Sequence, residues 1–216
     1  MKITICYLYY DLLNLYGENG NIKALYKHIT NQGIDVDIKY VSLNDKKEFD
    51  KYDIIYIGSG TNDNLILALN DLTKNKDDLD EYINKNKFIL STGNSIELFG
   101  EYILKDNEKI KCLGLINYYC KYNNLRIVKD VKYENKYVKY PIIGFENHFG
   151  SITGINDNFI EKNNFLGTYV IGPLLIRNPY FCKYYINKII KSKDKDFKIK
   201  DDDYNLEIKA YEKEAK

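Results

Sequence analysis

The segment from Lys87 to Gly100, KFILSTGNSIELFG, leaves this chain the least freedom of fold. Phe88-Ile89-Leu90 is a short apolar run, long enough for a buried strand. Ser91 to Ser95 is a tight turn of small residues, and Ile96-Glu97-Leu98-Phe99 opens a helix. A strand, a sharp glycine turn and a helix form the layout that lifts a nucleophilic side chain above a parallel sheet. Here the turn offers Gly93 and Asn94 where that nucleophile would stand.

The flanking segments repeat the pattern. Lys2 to Tyr9 is apolar and β-prone, Asp35 to Val41 alternates, and Tyr52 to Ile57 ends at the Gly58-Ser59-Gly60 turn. Between them the sequence predicts helices: from a cap at Asn21 to Gln32 with Gly33 as its stop, then Asn64–Leu72 and Leu79–Asn86. Strands alternating with helices predict a parallel sheet covered on both faces. The second half is more β-like, with antiparallel strands expected over Tyr118–Tyr140 and shorter strands at Ile142–Phe145 and Phe165–Val170. Asn178-Pro179 opens a helix to Ile190, with proline early in its first turn. The expectation is an α/β fold: three layers, a mainly parallel, flavodoxin-like sheet and an antiparallel extension. Its crevice should lie over Gly58–Asn62 and Thr92–Ser95.

With 216 residues, 44% of them hydrophobic, the chain is long enough for one sizeable domain. Residues 1–190 are expected to form it, and 191–216 to be a charged, solvated tail, helical near 204–213. Thirty-two basic residues against 31 acidic ones, well mixed, leave no basic groove for nucleic acid. No apolar run approaches the ~20 residues of a membrane helix, so no membrane insertion is expected and the location is read as cytoplasmic. The cysteines, Cys6, Cys112, Cys120 and Cys182, have no CxxC spacing and are read as buried apolar residues. Two distant histidines, His28 and His148, make a metal site improbable. Only Arg126 and Arg177 are arginine in a chain otherwise rich in lysine, which singles both out.

Four strings carry a family resemblance: YYDLLNLYGENGNI (9–22), YDIIYIGSGTND (52–63), STGNSIELFG (91–100) and GFENHFG with GTYVIGPLL (144–175). Together they resemble the class I glutamine amidotransferases of the cobyric-acid-synthase (CobB/CobQ-like) type. Within that type, the branch most similar is that of the glutaminase subunits of lipid II isoglutaminyl synthase. The resemblance spans roughly residues 1 to 190. It implies a class I amidotransferase fold, no cofactor, and glutamine hydrolysis by a Cys–His pair with ammonia passed to a synthetase. Carried over position by position, Gly93 stands at the nucleophile and Ile171 at the base of the Thr-Tyr-x-His-Gly-Pro string. Glu97 stands at the family's Gln, and Gly58-Ser59-Gly60-Thr61-Asn62 at its oxyanion turn. Arg126 keeps the register of a substrate-binding arginine, a clamp for an α-carboxylate.

Three readings follow. In the first, the chain is a non-hydrolytic pseudo-glutaminase, a partner subunit of a Mur-ligase-like synthetase concerned with peptidoglycan, holding glutamine or another small acid through Arg126, Gly58, Ser59, Gly60 and Asn94. In the second, it is an active amidotransferase or hydrolase in which Thr92 or Ser95 works with His148. In the third, it is a small-acid sensor without an obligate ligase.

Overall fold

The computed structural model describes residues 1–215. One six-stranded sheet forms its centre, from β1 (Lys2–Leu8), β2 (Asp35–Val41), β3 (Ile54–Ile57), β4 (Phe88–Thr92), β9 (Ile160–Lys162) and β10 (Phe165–Thr168). The order is β2-β1-β3-β4-β10-β9, parallel throughout except for the edge strand β9. Strand order reverses between β1 and β3, so the loops after these two strands part and open a crevice there.

Side-chain alternation divides the core into two layers. Ile3, Ile5, Tyr7, Ile54, Tyr56, Phe88 and Leu90 face α1 (Asn19–Asn31) and α5 (Pro179–Lys193). Cys6, Leu8, Ile55, Ile57 and Ile89 face α2 (Asn62–Leu72) and α3 (Lys76–Asn84). The three-layer expectation therefore holds, with a mainly parallel sheet. Helix α2 begins at Asn62, two residues before the expected Asn64, because Thr61 caps it by accepting the Asn64 N–H at 3.2 Å. In helix α1 the expected cap, Asn21, lies inside the helix, and its side chain accepts from Leu175 N (2.8 Å) and donates to the Tyr56 hydroxyl (2.7 Å). A sequence sees a good capping residue there but not the tertiary partners that claim it.

The antiparallel extension is a second sheet. It comprises β5 (Tyr102–Lys105), β6 (Glu108–Lys111), β7 (Tyr119–Tyr133) and β8 (Ile142–Thr153), in the order β6-β5-β7-β8. The short strand expected at Ile142–Phe145 is thus twelve residues long and carries Glu146, Asn147 and His148 along it. Its register with β7 breaks between Tyr122 and Ile127: four residues of β7 stand against Phe149 alone. Such a bulge bends the strand and re-aims its side chains. The segment after β10 is tied back to β8 by two backbone bonds between Phe145 and Ile171 (3.2 and 2.9 Å).

The C-terminal segment differs from the solvated tail expected for 191–216. Helix α5 runs through the boundary to Lys193, and Phe197, Ile199 and Ile208 pack on the core. Tyr204 and Tyr211 are buried, and α6 (Asn205–Glu214) lies against α4 (Leu174–Arg177). His28 anchors the segment, bonding Asp202 at 2.5 Å and stacking on Tyr204 at 3.8 Å. Charge dominates the composition there, but every few residues an apolar side chain keeps step with the groove between α1 and α5. Among the described residues no helix is long and apolar enough to cross a membrane.

Candidate functional site

The crevice is built from the carboxyl ends of β1, β3, β4 and β10. At its centre the elbow backbone is intact: Gly93 follows β4 with φ +65°, the strained turn that an elbow nucleophile adopts. The space above it is filled. A Cβ on Gly93 would stand 2.5 Å from both Cβ and Oγ of Ser59 and 2.9 Å from Cγ2 of Ile171. No side chain enters there unless Ser59 and Ile171 move.

The neighbouring turn is also fully engaged. Asn94 accepts from Gly60 N and from Ser59 Oγ, both at 3.0 Å, and donates to Gly60 O at 2.9 Å. The Gly60 N–H, in the turn that matches the oxyanion turn, is therefore occupied by a side chain of the same protein. Both flanking glycines are dictated by close packing. A Cβ on Gly58 would lie 2.6 Å from Leu13 O, and one on Gly60 would lie 2.8 Å from Leu12 O.

The elbow hydroxyls point into the protein. Ser95 Oγ is 2.8 Å from Ser91 Oγ and donates towards Thr92 O (3.0 Å) and Ile57 O (3.1 Å). Thr92 Oγ1 meets the Tyr56 hydroxyl at 2.8 Å, and both donate to Glu18 Oε2. His148 is engaged elsewhere. Its Nδ1 is 2.6 Å from Gly150 O, its Nε2 3.5 Å from Glu146 Oε2, and its ring stacks on Tyr169 at 3.6 Å. Neither Thr92 nor Ser95 shares a hydrogen bond with His148.

Two buried carboxyls flank the elbow. Glu18 is wholly buried, and its Oε1 has no hydrogen-bond partner among the described residues. Burial pushes its pKa up to about 7 against the opposing hydroxyl bonds from Thr92 and Tyr56. Glu97, 1% exposed, accepts from Tyr122 (2.8 Å) and Tyr169 (3.1 Å), yet burial likewise raises it to about 7. In its protonated form it is neutral and close in shape to the family's Gln, with one donor in place of two. Gly150 leaves room for it, since a Cβ there would lie 2.6 Å from the Tyr169 hydroxyl. Burial also raises all four thiols, which keeps them protonated.

Outside this closed floor lies an open cavity of about 300 Å³. Asn94 and Gly60 form its base, and Tyr16, Arg126, Asn147, His148 and Phe149 stand around it. The bulge in β7 turns Arg126 towards it. Arg126 donates from Nη2 to the Tyr16 hydroxyl at 3.0 Å, with its guanidinium 5.4 Å from the centre of the Phe149 ring. Tyr16 holds φ +61°, a conformation uncommon for a residue with a side chain and frequent at binding sites. The structure thus brings Arg126, Gly60, Asn94 and His148 to one cavity and turns Thr92, Ser95 and the Ser59 side chain away from it. Sequence reasoning missed Glu18, Tyr16 and Asn147. Glu18 lay in the turn Gly17-Glu18-Asn19-Gly20, where an acid reads as solvent-exposed.

Comparison with known proteins places this geometry. A family model described as the CobB/CobQ-like glutamine amidotransferase domain matches residues 4–178. The chain belongs to that family. Within it, the chain is 31% identical over 227 residues to the GatD subunit of lipid II isoglutaminyl synthase (glutamine-hydrolyzing) of Staphylococcus aureus (strain N315), spanning 97% of this chain and 93% of the relative. The GatD subunit of Streptococcus pneumoniae (strain ATCC BAA-255 / R6) is 29% identical over 213 residues, spanning 89% and 82%. A crystal structure of a glutamine amidotransferase superposes with a TM-score of 0.53 at 11% identity, covering 85% of this chain and 98% of that one. This CobB/CobQ-like protein therefore shares its relatives' fold, while its elbow carries glycine.

Proposed function

We propose that this protein is a non-hydrolytic member of its family, a pseudo-glutaminase that serves as partner subunit to a Mur-ligase-like synthetase and keeps a small-acid site at Arg126. One observation carries the reading: the nucleophile's position is occupied, with Ser59 and Ile171 inside contact distance of any Cβ on Gly93. A missing Cys alone could be replaced by a neighbouring hydroxyl. A filled pocket leaves no room for the tetrahedral carbon, and the turn that would face its oxyanion is bonded to Asn94. Both relatives are named as a subunit of a glutamine-hydrolysing synthase. Carried to this chain, that supports a synthetase partner and a place in cell-wall synthesis. A hydrolase built on Thr92 or Ser95 with His148 finds no support in the hydrogen bonding of those three residues.

The test is ammonia release from glutamine by the protein isolated from its own cell with its bound partners. We expect none above the blank, with a ligase co-purifying. Release that disappears in the Thr92→Ala, Ser95→Ala double variant would overturn the reading and restore the hydroxyl enzyme.

A further inference from the structure

The closed floor raises the question of where a bound amino acid would put its side chain. In the inner cavity three groups suit an amino-acid head. Arg126 has N–H donors beyond the one given to Tyr16. Asn147 Oδ1 is buried with no hydrogen-bond partner among the described residues, an acceptor short of a donor. Asp63, in the first turn of α2, lines the same cavity. A carboxylate on the arginine, with an ammonium between Asn147 and Asp63, satisfies all three. The side chain of such a ligand cannot run inward, where Asn94, Ser59 and Ile171 shut the elbow. It cannot pass His148, which is buried and stacked on Tyr169.

Outward, over Asn62 and Phe149, the way leads to further cavity. These two residues line both the inner cavity and a second one of about 580 Å³. That volume lies well within the ~300–1,000 Å³ of small-molecule sites, and the inner cavity sits at the lower limit. The outer cavity is walled by the carboxamides of Asn107 and Asn124, by Lys105 and Lys121, and by one acid, Asp106, which leaves the lining net positive. Carboxamides offer both donors and acceptors, the complement of peptide groups, and the lysines suit a terminal carboxylate. The bulge that aims Arg126 inward also presents Asn124 to the outer cavity, so a single backbone irregularity serves both.

We infer that the two cavities form one site for a γ-glutamyl peptide: an amino acid with free α-carboxylate and α-ammonium, extended through an amide on its side chain. With both head groups free, only side-chain linkage can carry the ligand from the inner cavity to the outer. The inference rests on the small-acid reading of Arg126 and adds the direction and class of the extension.

Calorimetric titration with L-glutamine, L-glutamate and γ-L-glutamyl-glycyl-glycine separates the two claims. Binding of the free amino acids tests the head-group site alone. The extended peptide is expected to bind about tenfold tighter than glutamine, the gain that a few added neutral hydrogen bonds supply. An Asn107→Gly, Lys121→Ala double variant should abolish that gain and leave glutamine binding unchanged; both residues are exposed, and glycine keeps the positive φ (+66°) of Asn107. Equal affinity for glutamine and the peptide, or a gain that survives the double variant, would overturn the outer site and leave the head-group site standing. No binding by any of the three would overturn both.

Discussion

The floor and the rim of this crevice are made by adjoining residues and have opposite characters. On the floor, Ser59 and Ile171 stand over Gly93, and the polar atoms of Asn94 are spent on Ser59 and Gly60. On the rim, Arg126 and Asp63 face solvent and Asn147 Oδ1 has no partner. A side chain kept only for packing has its polar atoms satisfied within the protein, as those of Asn94 are. On the proposed reading, the contrast teaches that loss of the reaction and loss of the binding site are separable. The floor is packed as core, and the rim carries exposed charged groups and an unpaired buried acceptor.

The largest effect that can break this comparison is restored hydrolysis. Gly93→Cys with Ile171→His installs both members of the catalytic pair, but the new Cβ still meets Ser59 at 2.5 Å. We expect the double variant to release no more ammonia than the parent. Adding Ser59→Gly clears the obstruction and should raise release measurably. An intact pair separates from a broken one by on the order of 10⁴–10⁶ in rate, so even an imperfect site would register. Thermal unfolding of each variant checks that it folds. Activity in the double variant equal to that in the triple would mean that Ser59 does not close the floor.

How far this arrangement could be read from the sequence differs between floor and rim. The parallel sheet and the glycine turn after β4 were legible, because strands of alternating or apolar residues and glycine turns are local signals. That glycine and isoleucine stand at positions 93 and 171 was likewise read directly from the sequence. That Ser59 fills the vacancy was not, since it depends on two turns 34 residues apart meeting at atomic contact. Glu18 was missed because burial is a tertiary property: the same acid in a Gly-rich turn is ordinarily solvated. Arg126 was singled out by its rarity and register, yet the bulge that aims it arises from pairing with β8 and leaves no local signature. In the C-terminal segment the helix near 204–213 was legible and its burial was not: composition alone does not show that Tyr204, Ile208 and Tyr211 pack against the domain.

The second effect sharpens the comparison through pH. Glu18 and Glu97 belong to the closed floor and its flank, and both have pKa values raised to about 7. A carboxyl with a raised folded-state pKa holds its proton in the native state after the unfolded chain has lost it. Stability must therefore fall as pH rises from about 4.5 towards 7 and level off above. The shift is worth on the order of 3 kcal/mol for each group. The carboxylates with lowered pKa values, such as Asp71 with Lys47 and Asp202 with His28, act in the opposite sense and only at more acid pH, below about 4. Urea unfolding should show greatest stability near pH 5 and a decline to pH 8. Glu18→Gln and Glu97→Gln should each flatten that decline, the glutamine standing in for the protonated acid. An unchanged slope in both variants would show that the two carboxyls are already ionised at neutral pH, and the floor wetter than its packing implies.

The smallest effect on stability should come from the rim, and its smallness is the point. Arg126 is exposed, and its contacts are one hydrogen bond to a partly exposed hydroxyl and a ring face 5.4 Å away. Exposed contacts of this kind contribute roughly 0.5–1 kcal/mol. Arg126→Ala should therefore leave the unfolding midpoint almost unmoved and abolish binding of glutamine and of the γ-glutamyl peptide together. A residue retained for packing would show the reverse, a lowered midpoint and no change in titration. Arg126→Lys divides the result further. It keeps the charge but loses the planar fork that grips a carboxylate through two parallel bonds. A large loss of affinity in the lysine variant would mean that the rim recognises the geometry of a carboxylate, which a solvated surface arginine has no reason to do.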